Sequence, residues 1–181
     1  MAKGSGLPSQ SAAADEDAPA KITLPAELKK RLVDDHDKIK AKKLAKLPAR
    51  PTVSDVLNDF LKSYKTDSPE KEVACEVVAG VKVYFQHCLP AILLYKFEKQ
   101  QYDNFNSADD EADPCTHYGG IHLLRLFVKL PGLLAKTQLK EDARSVLNAG
   151  LMQIITHIAK HADKLVPMRY ADAGTEYKKR N

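Results

Sequence analysis

The stretch YGGIHLLRLFVKLPGLL, residues Tyr118–Leu134, decides the fold that this chain is expected to adopt. Its apolar side chains recur at spacings of three, four and seven residues and cover more than half of a helical surface. Such a helix must pack against several others, so the stretch is predicted to form the central helix of the core. Pro131 is expected to kink the helix or to end its first half, because proline lacks an amide proton and its ring crowds the carbonyl of Phe127.

Further helices are predicted on both sides of this stretch from apolar residues at helical spacing. Thr52 with Asp55 is typical of a capping box, and Ser68 followed by Pro69 is typical of another helix start. No alternating strand pattern is recognised, so the chain is predicted to be all-α, with a single compact domain of about five to seven helices. The predicted segments are a basic helix at 32–48, helices at 52–65 and 68–89, a short helix at 91–102, an acidic loop at 103–114, a last long helix capped by 137–141 and ending near 165, and an irregular end at 167–181.

The composition is that of one domain with short tails. The chain has 181 residues, of which 44% are apolar and 29% charged, with a net charge of +4. Residues 1–21 contain almost no bulky side chain and are predicted to form a disordered tail, followed by a helical domain at 22–177 and a basic tail at 178–181. No uncharged run reaches the ~20 residues that cross a bilayer, and no signal peptide is recognised, so no association with a membrane is predicted.

No catalytic or metal-binding pattern is recognised. His157 and His161 lie four residues apart, but Ile158 stands where the zincin pattern needs a glutamate. Two exposed histidines on a polar face are the preferred interpretation. Cys75 and Cys88 are predicted to point inward as small apolar side chains. Neither a nucleophile elbow nor a glycine-rich phosphate loop is present, so no enzyme activity, metal ion or cofactor is predicted.

The basic run from Lys38 to Arg50 leaves two interpretations open. It could contact nucleic-acid phosphates, which would be a salt-sensitive and unselective interaction, or it could be a solvated face. The lysines concerned in a weak nucleic-acid contact are Lys38, Lys42, Lys43 and Lys46.

The first ordered segment carries more apolar side chains than a peripheral helix needs. Leu24, Leu32 and Val33 are typical of a groove for a segment of another protein, although packing into the core explains them equally well.

Three strings resemble the MRG (mortality-factor-related) domain family. They are LPAELKKRLVDDHDKI at 24–39, EVVAGVKVYFQHCLPAILLYKFEKQQY at 76–102, and YGGIHLLRLFVKLPGLL at 118–134. The resemblance implies an all-α nuclear adaptor that is not an enzyme. It also implies a subunit of histone acetyltransferase or deacetylase complexes. Such a subunit recruits partner proteins that carry a Phe-x-Leu-Pro type segment.

The same resemblance implies where that segment binds. The groove of the family is built from the first segment, the YKFE helix and the FVK part of the central helix, and His122 and Arg125 are expected to be structural. Carried over position by position, the partner-binding residues are Leu24, Leu32, Val33, His36, Tyr95, Val128 and Lys129.

Two departures from the family pattern affect the expected binding. Family members commonly have tryptophan at the places of Arg31 and His36, whereas this chain has no tryptophan. Weaker binding or a different partner motif is therefore expected. Many relatives also carry a chromodomain that reads methylated lysine, but residues 1–23 contain no aromatic residue that could build its cage. Reading of methyl-lysine is expected to be absent unless the sequence is a fragment.

Overall fold

The computed structural model describes residues 22–108 and 112–180. The predicted disordered tail at 1–21, the middle of the predicted acidic loop at 109–111 and Asn181 lie outside these residues. The described part of the chain is helical, as predicted, with two short strands. Its helices are α1 Ala26–Lys40, α2 Val53–Leu61, α3 Pro69–Cys88, α4 Lys99–Ala108, α5 Gly120–Leu134, α6 Glu141–Lys160, α7 Ala162–Leu165 and α8 Thr175–Arg180. The other elements are strands β1 Lys43–Ala45 and β2 Tyr170–Asp172, a π-helical turn at Leu89–Leu93, and 3-10 turns at Lys96–Glu98 and Pro114–Thr116.

Helix α5 runs through the middle of the core, which confirms the prediction from its apolar periodicity. Ten of its fifteen residues are buried, and Leu123, Leu124 and Leu126 are fully inaccessible. Helices α1, α2 and α3 pack against it. Of the two outcomes predicted at Pro131, an end of the helix is wrong, because the helix continues to Leu134, while the kink stays a prediction. Pro131 lies in the last turn, between the buried Leu130 and Leu134.

The predicted starts of α2 and α3 are confirmed. The hydroxyl of Thr52 accepts a hydrogen bond from the amide of Asp55 at 3.1 Å, and the Asp55 carboxylate accepts one from the amide of Thr52 at 2.9 Å. This backbone hydrogen bond lowers the pKa of Asp55. At the start of α3, the Ser68 hydroxyl accepts from the amide of Lys71 at 3.2 Å, with proline in the first turn. Both helices therefore begin where local sequence satisfies their free amides.

Helix α6 packs against α3, but the predicted cap before it is wrong. Lys140 precedes the helix without a side-chain cap. The hydroxyl of Thr137 instead donates to the carbonyl of Leu134 at 2.9 Å, so it satisfies the end of α5. At the contact with α3, a Cβ added to Gly150 would lie 2.8 Å from Cγ2 of Val77. The absence of a side chain at Gly150 thus sets the close approach of these two helices.

Three predicted segments differ in the structure. The basic helix predicted at 32–48 is confirmed only as far as Lys40, where α1 ends, and Lys42 adopts a φ of 60° before β1 begins. The short helix predicted at 91–102 is not one continuous helix. Before α4 begins, the chain forms a π-helical turn, two extended residues and a 3-10 turn. The loop expected at 103–114 is partly helical, since α4 continues to Ala108.

The two strands were not predicted, and they show that the end of the domain is not irregular. They pair antiparallel, with Lys43 opposite Asp172 and Ala45 opposite Tyr170. Helix α8 follows, and the hydroxyl of its Tyr177 donates to the carbonyl of Phe97. A small second apolar cluster forms there from Ile39, Leu44, Phe97 and Ala173.

Of the two cysteines predicted to point inward, Cys88 is buried but Cys75 is exposed.

The interpretation of two exposed histidines is wrong for His157, which is partly buried and lies 3.0 Å from a carboxylate oxygen of Asp59. The ammonium of Lys164 donates to the other oxygen at 2.7 Å, and this hydrogen bond is the main cause that lowers the pKa of Asp59.

Within 22–108 and 112–180, no three His, Cys, Asp or Glu side chains are grouped so that they could hold a metal ion. No single helix there has the length and apolar character to span a membrane, although the bent pair Pro69–Leu93 and Lys96–Ser107 passes that test on length and composition alone.

Candidate partner-binding groove

Arg125 of α5 is held below the surface by five hydrogen bonds, one for each of its N–H groups. Its Nε and Nη2 each donate to the carboxylate of Asp35 on α1 at 2.9 Å. Its Nη1 and Nη2 donate to Glu98 at 2.6 and 3.1 Å, and Nη1 also donates to the carbonyl of Leu93 at 3.1 Å. One side chain therefore joins the central helix to α1, to the 3-10 turn and to the π-helical turn.

The two carboxylates around Arg125 are themselves fully enclosed. Glu98 also accepts from the amide of Tyr95 at 2.9 Å, and its second oxygen lies 3.3 Å from Nε2 of His122. Burial raises the pKa of Glu98, but the hydrogen bond with His122 and the charge of Arg125 outweigh it, so the pKa falls to about 2. Asp35 is completely buried and accepts a further hydrogen bond from the hydroxyl of Tyr170. Glu98 therefore stays ionised at neutral pH, and the two buried carboxylates fix the layer beneath the surface.

A depression of about 410 Å³ opens above Arg125. Val33, Ile92 and Val128 line it with 59%, 44% and 51% of their surface exposed, and they are half of the six large apolar side chains that are exposed in the described chain. The ring of Tyr95 lies between two neighbours, since its centroid is 4.5 Å from Cζ of Arg125 and 5.6 Å from the ring of His36. The complete lining is Leu32, Val33, His36, Ile92, Leu93, Leu94, Tyr95, Arg125, Val128 and Lys129.

A second depression of about 480 Å³ adjoins the first, and both are lined by Leu32 and Val128. Leu24, Phe127 and Pro131 belong to its lining. The two depressions form one continuous apolar surface between α1 and α5, called the groove below. At its margins, Lys29 and Lys129 present exposed ammonium groups. The arrangement can enclose apolar side chains while offering positive charge to an acid or a carbonyl beside them.

The sequence model of the MRG family matches residues 4–172. The chain belongs to the MRG family. It is 39% identical to "Protein MRG1" of Arabidopsis thaliana over 153 residues, which is 83% of this chain and 47% of that protein. It is 36% identical to "NuA4 complex subunit EAF3 homolog" of Dictyostelium discoideum over 159 residues, covering 87% and 41%.

A further relative is "Mortality factor 4-like protein 1" of Pongo abelii, 40% identical over 149 residues, covering 80% of this chain and 46% of that protein. The MRG chain thus spans about half or less of the length of these curated relatives. None of these three names describes an enzyme.

Six of the seven residues predicted to bind a partner line one depression of this MRG domain. They are Leu32, Val33, His36, Tyr95, Val128 and Lys129. Leu24 lies at the neighbouring depression and is only 9% exposed, so most of its side chain packs into the core. Sequence reasoning missed Ile92, although an isoleucine next to two inward leucines was a signal that one residue of that run faces outward.

The structural role predicted for Arg125 is confirmed, and that of His122 is consistent with its contact to Glu98. Sequence reasoning missed both acidic partners of Arg125. A signal existed for Asp35, because it continues the stripe of Leu28, Leu32 and Ile39 at helical spacing. A carboxylate on an apolar stripe predicts a buried cation as its partner.

Proposed function

We propose that this MRG domain is a non-catalytic adaptor subunit of a nuclear chromatin-modifying complex of the histone acetyltransferase or deacetylase class. A segment of a partner protein binds in the groove. The observation that carries the proposal is the meeting of Val33, Ile92 and Val128 in one depression. Exposed apolar side chains that cluster on a domain mark a protein interaction site. Relatives named as chromatin modification-related proteins and as a NuA4 complex subunit support the cellular setting.

The two adjoining depressions favour a segment with two apolar anchors, such as Phe-x-Leu-Pro. We expect the phenylalanine ring to fill one depression against Tyr95 and the leucine to fill the other beside Leu32. Buried anchors of this kind provide most of the affinity in peptide recognition. Lys129 then lies where it can donate to a backbone carbonyl or pair with an acidic residue of the segment.

His36 is expected to weaken this binding relative to a tryptophan at the same place. An imidazole covers less apolar surface than an indole, which reduces affinity by about 1–3 kcal/mol where the ring is an anchor. The ring of His36 is half exposed and touches only Tyr95 among the aromatic residues described. It offers the partner a smaller and more polar wall.

Replacing Val128 by glutamate tests the groove, and Val146→Glu is a matched control. Val146 is 52% exposed on α6, against 51% for Val128, but it does not line the groove. We expect Val128→Glu to weaken binding of a Phe-x-Leu-Pro peptide by ~30-fold or more in calorimetry, because a carboxylate would be buried against apolar anchors. Affinity purification should likewise lose acetyltransferase or deacetylase subunits.

Both variants should unfold cooperatively like the unsubstituted protein, since both valines are exposed. Equal peptide binding by the two variants would contradict the groove assignment. Nanomolar binding of DNA or RNA at ~150 mM salt, lost when Lys38, Lys42, Lys43 and Lys46 are neutralised, would favour a nucleic-acid-binding function instead.

A further inference from the structure

The described chain begins at the groove itself. Ile22, the first described residue, lines the second depression together with Thr23 and Leu24. Residues 1–21 are therefore joined to the domain at the edge of the surface that the partner segment is proposed to occupy. Any apolar or acidic side chain among these residues is tethered beside the groove.

The groove carries positive charge that the described residues leave uncompensated. Neither depression is lined by an aspartate or a glutamate. Arg125 is neutralised from below by its two carboxylate partners. Lys29 and Lys129, in contrast, form no ion pair or side-chain hydrogen bond with any described residue. Both ammonium groups are exposed, so together they attract a negatively charged segment.

Residues 1–21 contain the complementary groups. Their acidic residues stand together as Asp15, Glu16 and Asp17. Leu7 is the one branched aliphatic residue among them, and Pro8 follows it in the order of the last two residues of a Phe-x-Leu-Pro segment. An apolar anchor with an acidic cluster fits an apolar groove whose margins are basic.

The spacing along the chain lets both groups reach the groove. Asp17 precedes Ile22 by five residues, a span of at most ~18 Å, and Lys29 lines the same depression as Ile22. Leu7 precedes Ile22 by fifteen residues, which a flexible chain spans by ~20 Å on average. Lys29 and His36, which line the two different depressions, are only ~10 Å apart along α1. The segment therefore reaches either depression without full extension.

The short tether favours binding within one chain over binding between two copies. A flexible tether of matching length holds its segment at an effective concentration in the millimolar range. A second copy of the protein at micromolar concentration offers the same segment far more rarely. A contact that is weak when the segment is free can therefore be populated when it is tethered.

We propose that residues 7–17 bind in the groove of their own domain and compete there with the partner segment. Leu7 fills the depression above Arg125, and the acidic cluster at 15–17 lies against Lys29 and Lys129. Because residues 1–21 contain no aromatic side chain, the segment supplies one anchor and is displaced by a partner segment with two. The contact is autoinhibitory, and this regulatory role rests on the function proposed for the groove.

Leu7→Ser in the full chain tests the contact without any partner, and Ala13→Ser is its matched control, because it introduces the same side chain between the anchor and the acids. We expect Leu7→Ser to shift the NMR amide resonances of Val33, Ile92 and Val128, and Ala13→Ser to leave them in place. About tenfold dilution of the unsubstituted protein should not move them, as an intramolecular contact requires. Groove resonances unchanged by Leu7→Ser would overturn the proposal, and resonances that move on dilution would overturn it in favour of exchange between copies.

Calorimetry with a Phe-x-Leu-Pro peptide measures the competition. We expect Leu7→Ser to bind the peptide about three- to tenfold more tightly than Ala13→Ser, since a tethered competitor has been removed. The combined change Asp15→Asn, Glu16→Gln and Asp17→Asn should also tighten binding, and its difference from the unsubstituted protein should disappear at ~1 M salt, where charges are screened within ~3 Å.

The failure of this proposal and that of the groove function give different results. Equal peptide affinity of Leu7→Ser and Ala13→Ser would overturn the autoinhibition and leave the groove function in place. Absence of peptide binding by every variant, with groove resonances still shifted by Leu7→Ser, would count against the proposed partner segment and support the contact within the chain.

Discussion

Replacing Glu98 by glutamine would test how the layer beneath the groove is stabilised. The native side chain is 1% exposed and bonds to Arg125, to His122 and to the amide of Tyr95. Glutamine keeps the shape and one oxygen, but it places an NH₂ group against groups that are themselves donors. At least one buried donor loses its acceptor, and one of the two negative charges on Arg125 disappears.

The magnitude follows from the pKa of Glu98, which is about 2 in the folded protein against an ordinary 4.5. Each pH unit of difference is worth about 1.4 kcal/mol, so the ionised group contributes about 3 kcal/mol to the free energy of unfolding at neutral pH. Because the pKa is lower in the folded state, this contribution is complete above the unfolded pKa and is lost as the pH falls toward 2. By about pH 3 some 2 kcal/mol of it has gone.

Urea denaturation at about pH 7 and about pH 3 measures this difference directly. We expect Glu98→Gln to lower the free energy of unfolding by about 3 kcal/mol at the higher pH but by only about 1 kcal/mol at the lower. Glu76→Gln on the exposed face of α3 is the control and should have little effect at either pH. A loss from Glu98→Gln that is the same at both pH values would refute the reasoning, since the charge would then contribute nothing.

Two further substitutions test the groove and the core. His36→Trp should strengthen binding of a Phe-x-Leu-Pro peptide by about tenfold or more in calorimetry, because an indole restores apolar surface beside Tyr95; an unchanged affinity would show that this wall does not touch the peptide. Gly150→Ala should lower the free energy of unfolding by about 1–3 kcal/mol, because the new Cβ would overlap Val77. Gly80→Ala meets open space and is its control, and equal effects would contradict the close contact.

The elements that could be predicted from the sequence are those whose cause lies within a few residues. The capping box at Thr52 and the start at Ser68 depend on side chains three residues from the amides they satisfy, and α5 depends on its own periodicity. Most groove residues could be placed because long strings resemble a known family. Their use by a partner stays a prediction.

The features that could not be predicted depend on residues far apart in the chain. Strand β1 pairs with a strand some 127 positions later in the chain. A strand of three residues is too short to show a recognisable alternation of apolar and polar side chains. Arg125 meets Asp35 across 90 positions, and only the fold reveals that these two side chains face each other. The contact of His157 with Asp59 likewise joins two helices across 98 positions.

The pairing of β1 with β2 has a consequence for the groove. The pairing joins the segment just after α1 to the segment just before α8. From β2, the hydroxyl of Tyr170 donates a hydrogen bond to the carboxylate of Asp35 on α1. One wall of the groove is therefore anchored by Tyr170, which lies in the last part of the described chain. Loss of the pairing between β1 and β2 would be expected to loosen the hold of Tyr170 on Asp35 and so to change the spacing of that wall.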